Sequence, residues 1–328
     1  MTSLGYHKTD EVILAILRKH NGYISGDELS QKTGLAKATI TKHIHLLREE
    51  GYDIQCQPHL GYLLVRVPDR LAAEELSWQL HTQVIAQKIL AYDTVDSTNT
   101  TAYALAEKGA GENTAVFAEG QRKGRGRFGR TWVSPQSQGV YCSLILRPEI
   151  TSDQAALITL LAAVCCAETI RKVSGLKALI RWPNDVVIED RKVCGILTEM
   201  KGRSDQVEFL IVGLGINVNT PLSQLPKGST SLREETRTKK RLCRLEVARE
   251  LLRTFDREYA AFIKGKDMHI TKRWSNLSAL SGKRIRVYLA HKAIEGQAQD
   301  IDAQGALILR LDNGFKQHIF AAEAIKVR

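Results

Sequence analysis

This 328-residue sequence lacks the long apolar segments of membrane and secreted proteins. Its longest apolar run, from about Ala155 to Ala167, is shorter than the roughly 20 residues that a bilayer-spanning helix needs. The opening stretch, MTSLGYHKTDEV, contains no apolar core of the kind that signal peptides carry. We therefore expect no membrane span and no secretion signal, which together favour a cytoplasmic protein.

The six cysteines do not form the patterns of metal sites or disulfide-rich scaffolds. No CxxC pair occurs, and the cysteines are scattered over positions 56, 142, 165, 166, 194 and 243. The sequence also shows no histidine cluster with the spacing of metal ligands and no serine–histidine–aspartate grouping. We therefore assign no metal ligands, and we expect catalysis by positioning and charge neutralisation rather than through a covalent side-chain intermediate.

Length and charge narrow the class of protein further. A chain of 328 residues is long enough for two or three domains. Its 43% hydrophobic and 25% charged residues are ordinary for a globular protein. The net charge of +11 favours anionic partners, but nucleic acids and nucleotides both satisfy it, so charge alone does not choose between them.

The first 67 residues predict three helices and a strand hairpin. Apolar residues in the first and third helices recur at helical spacing. They are Val12, Ile13, Ile16 and Leu17, and then Ile40, Ile44 and Leu47. Ser25 and Glu28 have the spacing of a capping box, which would begin the second helix. Strands at residues 52–57 and 62–67 follow, so the order is that of a winged helix-turn-helix, with the helix-turn-helix itself at about 25–44.

The third predicted helix, from about Ala36 to Glu50, is the element that would enter a DNA groove. Polar side chains away from its apolar stripe are the candidate DNA contacts: Lys37, Thr39, Thr41, Lys42, His45 and Arg48. Ala36 lacks the hydroxyl with which serine caps a helix, which weakens the expected contact with DNA. Residues 1–67 carry eight Lys and Arg against seven Asp and Glu. We therefore expect a homodimer on operator DNA, because one nearly neutral head would bind too weakly.

After Pro68-Asp69 the pattern changes to alternating strands and helices, which predicts a mixed α/β domain over residues 68–275. Helices are expected at Leu71–Leu80, after Ser97-Thr98-Asn99, at Ser152–Val173 and at Leu245–Lys264. Antiparallel hairpins are expected around Asp190-Arg191 and around residues 201–206. Residues 276–328 predict four short strands separated by turns, as in a small β-barrel like that of Src-homology-3 domains. The fold class is thus multidomain α+β.

The segment Gly124-Arg125-Gly126-Arg127-Phe128-Gly129-Arg130 is the most informative candidate site. With Arg122 and Lys123 it brings five cations into nine residues, and its glycines free the backbone to wrap an anion. It matches GxGxxG, but the following Thr131-Trp132-Val133-Ser134-Pro135 does not begin a helix, which excludes a dinucleotide-binding turn. No Gly-Lys-Ser/Thr ends it, which excludes a Walker loop. We expect a phosphate-binding lid, with a solvated basic loop as the alternative.

Three further segments each allow a structural and a functional interpretation. Ser97-Thr98-Asn99 could cap a helix or offer hydroxyl groups to a polar ligand. Lys192 could be an exposed strand-edge lysine, or a cation directed at a carboxylate or phosphate beside the small Cys194 and Gly195. Trp182-Pro183-Asn184-Asp185 could be a structural turn or the wall of a pocket. The residues alone leave these alternatives open.

Taken in order, these segments resemble the biotin–protein ligase family, in its class whose N-terminal winged helix represses the biotin operon. Five motifs carry the resemblance across nearly the whole chain. They are Asp96-Ser97-Thr98-Asn99, Gln121 with Gly124–Arg130, Arg181-Trp182-Pro183-Asn184-Asp185, Arg191-Lys192-Val193-Cys194-Gly195-Ile196-Leu197, and Gly213-Leu214-Gly215-Ile216-Asn217-Val218-Asn219. Arg181 stands where the family commonly has lysine, and Phe128 departs from the usual loop residue in a way that would alter loop closure.

The resemblance implies roles for the matched residues. The implied biotin contacts are Ser97, Thr98, Asn99, Gln121, Arg125, Gly126, Arg127, Lys192, Gly195 and Ile196. The implied adenylate contacts are Trp132, which would pack against it, and Asn217, which would meet adenine. The implied catalytic residues are Lys192, at the reacting carboxylate, with Arg125 and Arg127.

The resemblance also implies the reaction. Enzymes of this family bind ATP with Mg²⁺, form biotinyl-5′-AMP, and acylate a lysine of the biotin carboxyl carrier protein of acetyl-CoA carboxylase. The adenylate then serves as co-repressor. A carboxylate that attacks a phosphate brings two anions together, which explains the need for several cations. The alternatives are a lipoate or octanoate ligase, a ligase whose winged helix no longer regulates, and a transcription factor that only senses a metabolite. The winged head and the glycine–arginine loop disfavour the first.

Overall fold

The computed structural model describes residues 8–203, 205–265, 268–289, 292–322 and 324–327. The opening stretch, on which the expectation of no secretion signal rests, lies mostly outside these residues. The N-terminal head contains α1 (Lys8–Lys19), α2 (Gly26–Thr33), α3 (Lys37–Glu49), β1 (Asp53–Gln57) and β2 (Gly61–Arg66). Strands β1 and β2 pair antiparallel, which completes the predicted winged helix-turn-helix order.

The head has a core of its own, to which α1, α3 and the hairpin contribute. The predicted apolar stripe of α3 is confirmed, because its three members are all buried. In α1 the prediction was wrong at Val12, which is 40% exposed, while Leu14 is buried in its place. The buried face of α1 is Asp10, Ile13, Leu14 and Leu17, which is the i, i+3, i+4, i+7 pattern of an amphipathic helix.

The caps of α2 and α3 differ as their sequences predict. The Glu28 N–H donates to Ser25 Oγ over 3.1 Å, so the serine half of the expected capping box is formed. The Glu28 carboxylate lies 3.5 Å from Lys32 Nζ instead of completing the box. Ala36 occupies the N-cap of α3 and makes no side-chain capping bond.

The central domain is built on seven strands. They are β3 (Lys88–Val95), β4 (Thr114–Gln121), β5 (Gly139–Leu146), β6 (Leu179–Arg181), β7 (Asp185–Ile188), β8 (Arg191–Arg203) and β9 (Gln206–Asn217). Their order in the sheet is β3-β4-β5-β9-β8-β7-β6, and only the β3–β4 pair is parallel. The predicted hairpins are β7–β8 and β8–β9, with β8 extended through the first half of the polar stretch assigned to a turn.

Helices cover both faces of this sheet. They are α4 (Ala73–Ser77), α5 (Thr98–Glu107), α6 (Ala155–Ser174), α7 (Leu232–Glu235) and α8 (Arg244–Phe262). Helices α6 and α8 pack on one face in the main core, and α5 packs on the other face in a smaller core. Among the described residues no helix, α6 included, has the length and apolar character required to cross a membrane.

The linker helix is shorter than predicted. A helix was expected over Leu71–Leu80, but α4 ends at Ser77. Gln79 and His81 have left-handed backbone conformations, with φ of 53° and 56°, which a continuing helix does not allow.

The C-terminal segment follows a helix that the sequence did not predict, α9 (Met268–Leu277), which runs across the expected boundary at 275/276. Its strands are β10 (Arg284–Tyr288), β11 (Ala293–Ile301), β12 (Leu307–Arg310), β13 (Lys316–Ile319) and β14 (Ala324–Val327). They form an antiparallel sheet in the order β13-β12-β11-β10-β14. The fifth strand, β14, was not predicted.

Candidate active site

A cleft with about 440 Å³ of empty space opens where α5 begins and where β8 and β9 lie side by side. Of the twelve residues expected to bind biotin or adenylate, eleven line this cleft. They are Ser97, Thr98, Asn99, Gln121, Arg125, Gly126, Arg127, Trp132, Lys192, Gly195 and Ile196. Residues separated by as much as 99 positions in sequence therefore meet at one place.

The start of α5 supplies a buried polar wall. The Thr98 N–H donates to Gln121 Oε1 over 2.8 Å, and the Gln121 amide donates in turn to Ser134 Oγ. Ser143 Oγ lies 2.8 Å from Thr98 Oγ1 and 2.6 Å from Asn99 Oδ1. Ser97 occupies the N-cap position but makes no side-chain capping bond. The capping interpretation of these residues is therefore wrong for Ser97, and the polar groups are ordered towards the cleft.

Two glycines of β9 make room for this wall and for Trp132. A Cβ at Gly213 would lie 2.0 Å from Asn99 Oδ1, and a Cβ at Gly215 would lie 2.5 Å from Trp132 Nε1. Both distances are far inside van der Waals contact, so only glycine allows the two side chains to lie against the sheet. The sequence identified these glycines as part of a motif, and the structure explains why no larger residue fits at either position.

The glycine–arginine loop folds over the mouth of the cleft. The Gly126 N–H donates to the Arg130 carbonyl over 2.7 Å, and the Trp132 N–H donates to the Gly124 carbonyl over 2.9 Å. Only a short 3-10 turn, Arg127–Gly129, occurs in the loop, and no helix follows it. The exclusion of a dinucleotide-binding turn is therefore confirmed. Phe128 lies within this turn in a left-handed conformation, with φ of 55°, and its side chain is 58% exposed.

The three expected catalytic cations are each held by a polar partner. Arg125 Nη2 lies 2.8 Å from Glu199 Oε1, and Lys192 Nζ lies 2.6 Å from Asp185 Oδ1. Arg127 donates to Asn184 Oδ1 over 3.1 Å. Burial lowers the pKa of the Arg127 guanidinium, against the opposing effect of the Asp185 carboxylate.

Lys192 is therefore not an exposed strand-edge lysine, which was one of the two interpretations that its sequence allowed. Its side chain is 29% exposed, it lines the cleft, and its ammonium lies 5.2 Å from the centre of the Trp132 ring. The Trp182–Asp185 segment has both of the roles that its sequence allowed, because one residue packs in the core and another lines the cleft. Trp182 is buried and donates its indole N–H to the Gly305 carbonyl, whereas Asn184 lines the cleft.

A second cavity, of about 230 Å³, adjoins the cleft and shares Arg127, Asn184 and Lys192 with it. Arg130 and Arg181 bring the number of cations along its wall to four, and Asp185 is the carboxylate there. The cleft and this cavity together form a site that is polar at one end and strongly cationic at the other.

Asn217 is the one expected ligand residue outside the cleft lining. It is 2% exposed, and its amide donates to the Thr230 carbonyl over 3.0 Å. Its Oδ1 and the indole nitrogen of Trp132 are both buried without a hydrogen-bond partner among the described residues. Buried polar atoms without partners are costly, so both atoms are suited to a ligand.

Sequence reasoning missed Glu199 and did not assign Asp185 or Asn184. A carboxylate in a strand gives no local signal, and its importance depends on the cation placed opposite it by the fold. Among the described residues, no group of three or more His, Cys, Asp and Glu side chains could hold a metal ion.

The candidate DNA contacts do not form one uniform set. Lys42 and His45 are exposed on α3, and Thr39 is half-buried. Lys37 Nζ lies 2.5 Å from Asp27 Oδ1, and Thr41 Oγ1 lies 3.1 Å from the Tyr62 hydroxyl of the wing. Arg48 donates two hydrogen bonds to the Ile54 carbonyl, over 2.8 and 2.6 Å, so it ties α3 to β1.

Three family models match the chain. The helix-turn-helix domain model matches residues 10–63, the biotin/lipoate A/B protein ligase family model matches residues 91–217, and the biotin protein ligase C-terminal domain model matches residues 280–327.

Whole-chain relatives agree with these matches. The chain is 35% identical over 307 residues to the bifunctional ligase/repressor BirA of Bacillus subtilis, covering 92% of this chain and 94% of the relative. It is 31% identical over 314 residues to BirA of Escherichia coli, covering 92% and 93%. The solved biotin protein ligase from Aquifex aeolicus, in complex with biotin and ATP, superposes with a TM-score of 0.63 at 25% identity, covering 74% of this chain and 100% of that one.

Proposed function

This chain belongs to the biotin/lipoate A/B protein ligase family, in its branch of bifunctional ligase/repressors, and on that premise we propose how its site works. It is a biotin–protein ligase and a transcriptional repressor. It activates biotin with ATP and transfers it to a lysine of the biotin carboxyl carrier protein of acetyl-CoA carboxylase. The observation that carries the proposal is the convergence of Lys192, Arg125 and Arg127 on a cleft that is also lined by neutral polar side chains.

The neutral wall binds the biotin ring system. The donors and acceptors of Ser97, Thr98, Asn99 and Gln121 suit a ureido group, which offers both N–H and C=O. The buried Ser143 and Ser134 hydroxyls keep these side chains ordered. Gly126, Gly195 and Ile196 provide close apolar and backbone contacts beside them.

The cationic end performs the adenylation. The biotin carboxylate attacks the α-phosphorus of ATP, the bond to the β-phosphate breaks, and pyrophosphate leaves. Lys192, Arg125 and Arg127 neutralise the two anions and the charge that develops between them. The four cations of the adjoining cavity suit a polyphosphate chain. The carrier lysine then attacks the acyl carbon, an amide forms, and AMP leaves.

Magnesium suits this site as a companion of ATP. Mg²⁺ usually takes one or two protein carboxylates together with substrate phosphates. Asp185 is the carboxylate of the cationic cavity and would hold it. Mg²⁺ supplies further neutralisation of the phosphates when bound.

Trp132 and Asn217 are proposed to hold the adenylate. Each has a buried polar atom without a partner among the described residues, and Asn217 follows Gly215 on the same strand by two residues. A mixed anhydride hydrolyses readily, so a loop that closes over it, such as Gly124–Arg130, protects the intermediate.

Repression is proposed to follow from dimerisation. Two heads related by two-fold symmetry read two half-sites, with Lys37, Thr39, Thr41, Lys42 and His45 of α3 towards the DNA and Arg48 supporting them. Biotinyl-5′-AMP acts as co-repressor because it binds the dimer-competent state better. A tenfold shift needs about 1.4 kcal/mol of preference.

We propose three domains: residues 1–67, residues 68 to about 277, and the remainder of the chain. The second boundary is placed after α9 because that helix runs across the boundary expected from the sequence. The six free cysteines support a reducing, cytoplasmic location.

Exchange of radiolabelled pyrophosphate into ATP tests the enzyme. It should depend on biotin, lipoate should not replace biotin, and mass spectrometry should detect bound biotinyl-5′-AMP. Exchange with lipoate alone would favour the lipoate-ligase alternative, and exchange with neither would leave only a sensor. For the repressor, sedimentation and operator binding that are both indifferent to biotinyl-5′-AMP would refute the co-repressor mechanism.

A further inference from the structure

Asn99 lies against a row of residues that crosses three neighbouring strands. Leu197 of β8, Gly213 of β9 and Ser143 of β5 are paired in register, so they stand side by side across the sheet. The Asn99 side chain covers the middle of this row, where Gly213 has no Cβ to obstruct it. Asn99 is 4% exposed and Ser143 is completely buried, so the polar atoms of both need partners within the protein.

The orientation of the Asn99 amide is determined by groups that accept hydrogen bonds. Its nitrogen, Nδ2, donates to the Leu197 carbonyl over 3.1 Å and to Glu199 Oε2 over 2.9 Å. A main-chain carbonyl has no hydrogen to give, so the atom of Asn99 that faces it must be the NH₂ group. The amide oxygen, Oδ1, therefore faces Ser143, whose Oγ lies 2.6 Å away.

Ser143 has a single hydroxyl hydrogen, and this orientation of Asn99 commits it. An amide oxygen only accepts, so Ser143 donates to Asn99 Oδ1. The 2.8 Å contact between Ser143 Oγ and Thr98 Oγ1 then has one possible donor, which is the Thr98 hydroxyl. Gln121 Oε1, at 3.2 Å, is a second acceptor for the same hydroxyl. A Thr98 hydrogen that is used on either acceptor is not available to a ligand.

Thr98 therefore presents oxygen lone pairs to the cleft that it lines. Lone pairs of this kind bind an N–H group of a ligand. The ureido ring of biotin has two N–H groups, whereas the dithiolane ring of lipoate has none. A site built to hydrogen-bond its ligand rejects an analogue that lacks the group, because the polar atoms of the site then stay unpaired.

We propose that Ser143 is a positioning residue that makes Thr98 a hydrogen-bond acceptor for a ring N–H of the ligand. Ser143 is buried behind the cleft, and it acts through Thr98 without touching the substrate. The direction of its hydrogen, set by Asn99, selects a cyclic urea over a ring without N–H groups. The identity of the ligand rests on the proposed function. None of these contacts involves a residue of the loop Gly124–Arg130.

Calorimetric binding of biotin, and of biotin methylated at one or the other ring nitrogen, to the full-length protein tests this assignment. In wild type, methylation at the nitrogen that faces Thr98 removes the N–H and should weaken binding. In Ser143→Ala the Thr98 hydrogen is free to turn into the cleft. Biotin should then bind about two- to tenfold more weakly, the net effect of one hydrogen bond, and the penalty for methylation at that nitrogen should shrink by the same factor. A mere packing defect would weaken all three ligands alike and leave the penalties unchanged, which would overturn the proposal.

The matched control is Thr254→Val, which also removes one buried hydroxyl and its hydrogen bond. Thr254 lies on α8, donates to Glu250 Oε1 over 3.2 Å and does not line the cleft. This variant should keep the wild-type affinity for biotin and the wild-type methylation penalties. Ser143→Cys, which retains a weak donor, is the second variant if Ser143→Ala does not fold. Its methylation penalty should be smaller than that of wild type, and an equal penalty would count against the proposal.

A double-mutant cycle tests whether Ser143 acts through Thr98. Thr98→Val removes the acceptor, so adding Ser143→Ala to it should cause no further loss of biotin affinity. An undiminished effect in the Thr98→Val background would show that Ser143 acts by another route and overturn the proposal. In steady-state adenylation, Ser143→Ala should raise the KM for biotin with little effect on kcat, because the ring N–H is remote from the reacting carboxylate within biotin itself.

The same measurements separate this proposal from the proposed function. Binding of lipoate but not of biotin by the wild-type protein would refute the biotin-ligase function, and with it the inferred preference for a ring N–H. Tight binding of biotin with equal methylation penalties in wild type and Ser143→Ala would refute only the positioning role of Ser143.

Discussion

Arg18 of the winged helix and Glu75 of the linker form an ion pair in which the Glu75 side chain is completely buried. The Tyr52 hydroxyl donates to the same carboxylate oxygen, and Arg249 of α8 donates to the Glu75 carbonyl. The head, the linker and the enzyme therefore meet at one residue, which fixes the orientation of the DNA-binding helix relative to the ligase.

Arg18→Met should weaken this junction strongly. It leaves the Glu75 carboxylate buried without its nearest cation, and breaking a buried ion pair costs about 3–5 kcal/mol. Arg249 Nη2, 3.9 Å from the other carboxylate oxygen, should keep the loss at the lower end of that range. Urea unfolding followed by tryptophan fluorescence is a suitable measurement, because Trp78 is one of the four tryptophans and Arg18 lies 4.9 Å from the centre of its ring. Arg66→Met, on the exposed end of β2, is the control and should leave stability unchanged.

Lys192→Met should abolish most adenylation without unfolding the protein. Removing one charge-stabilising group costs about 2.7–4 kcal/mol of transition-state stabilisation, or about 10²–10³ in rate. Biotin-dependent pyrophosphate exchange measures the loss. Lys177→Met, at an exposed position away from the cleft, should retain wild-type exchange. Turnover within a few fold of wild type would remove Lys192 from the mechanism.

Arg127→Gly should release the reactive intermediate. The change removes the bond to Asn184 and frees the loop, so biotinyl-5′-AMP should escape and label lysines of unrelated proteins. Blotting for biotin on added bystander proteins measures this. Arg122→Gly, whose arginine pairs with the exposed Asp96, should label only the carrier. If Arg127→Gly retains the adenylate as long as wild type does, the loop is not a lid.

Lys42 and Arg48 should affect DNA binding in different ways. Lys42 is exposed, so Lys42→Ala should weaken operator binding and, if it touches a phosphate, reduce the slope of log affinity against log salt by about 1. Arg48→Ala removes both bonds to Ile54 and should lower the stability of the head as well. Salt titrations and thermal unfolding distinguish the two effects, and both variants should keep full ligase activity. An equal loss of head stability in both would contradict this assignment.

Thiol titration should divide the six cysteines sharply. Burial raises the pKa of the Cys142 and Cys165 thiols, and a hydrogen bond with Cys194, together with burial, raises the pKa of the Cys166 thiol. At pH 8 even fewer of these thiols are thiolates than in an exposed cysteine. Cys56 is exposed and should react at once, whereas the half-buried Cys243 should react slowly. The remaining thiols should appear only in denaturant. Fast reaction of three or more thiols in the native protein would show that the core is not closed.

The sequence by itself determined the order of the elements in the head and most of the composition of the cleft. Local patterns are enough for this, because the stripe of Ile40, Ile44 and Leu47 specifies a buried helix face and the Ser25 cap specifies where α2 begins. The cleft residues were identified because their motifs occur in a fixed order along the chain. Residues as far apart as Ser97 and Ile196 do not indicate, one at a time, that they line the same cleft.

Only the tertiary structure decided which charges meet. Glu199 and Arg125 are 74 residues apart, and nothing near either residue indicates the other. The same holds for Arg48, which bonds to a strand carbonyl instead of facing solvent, and for Val12, which lies just outside the buried face of α1. Helical periodicity fixes the pattern of a face but not its exact rotation, and ion pairs between distant segments depend on the packing of the sheet and helices that brings them together.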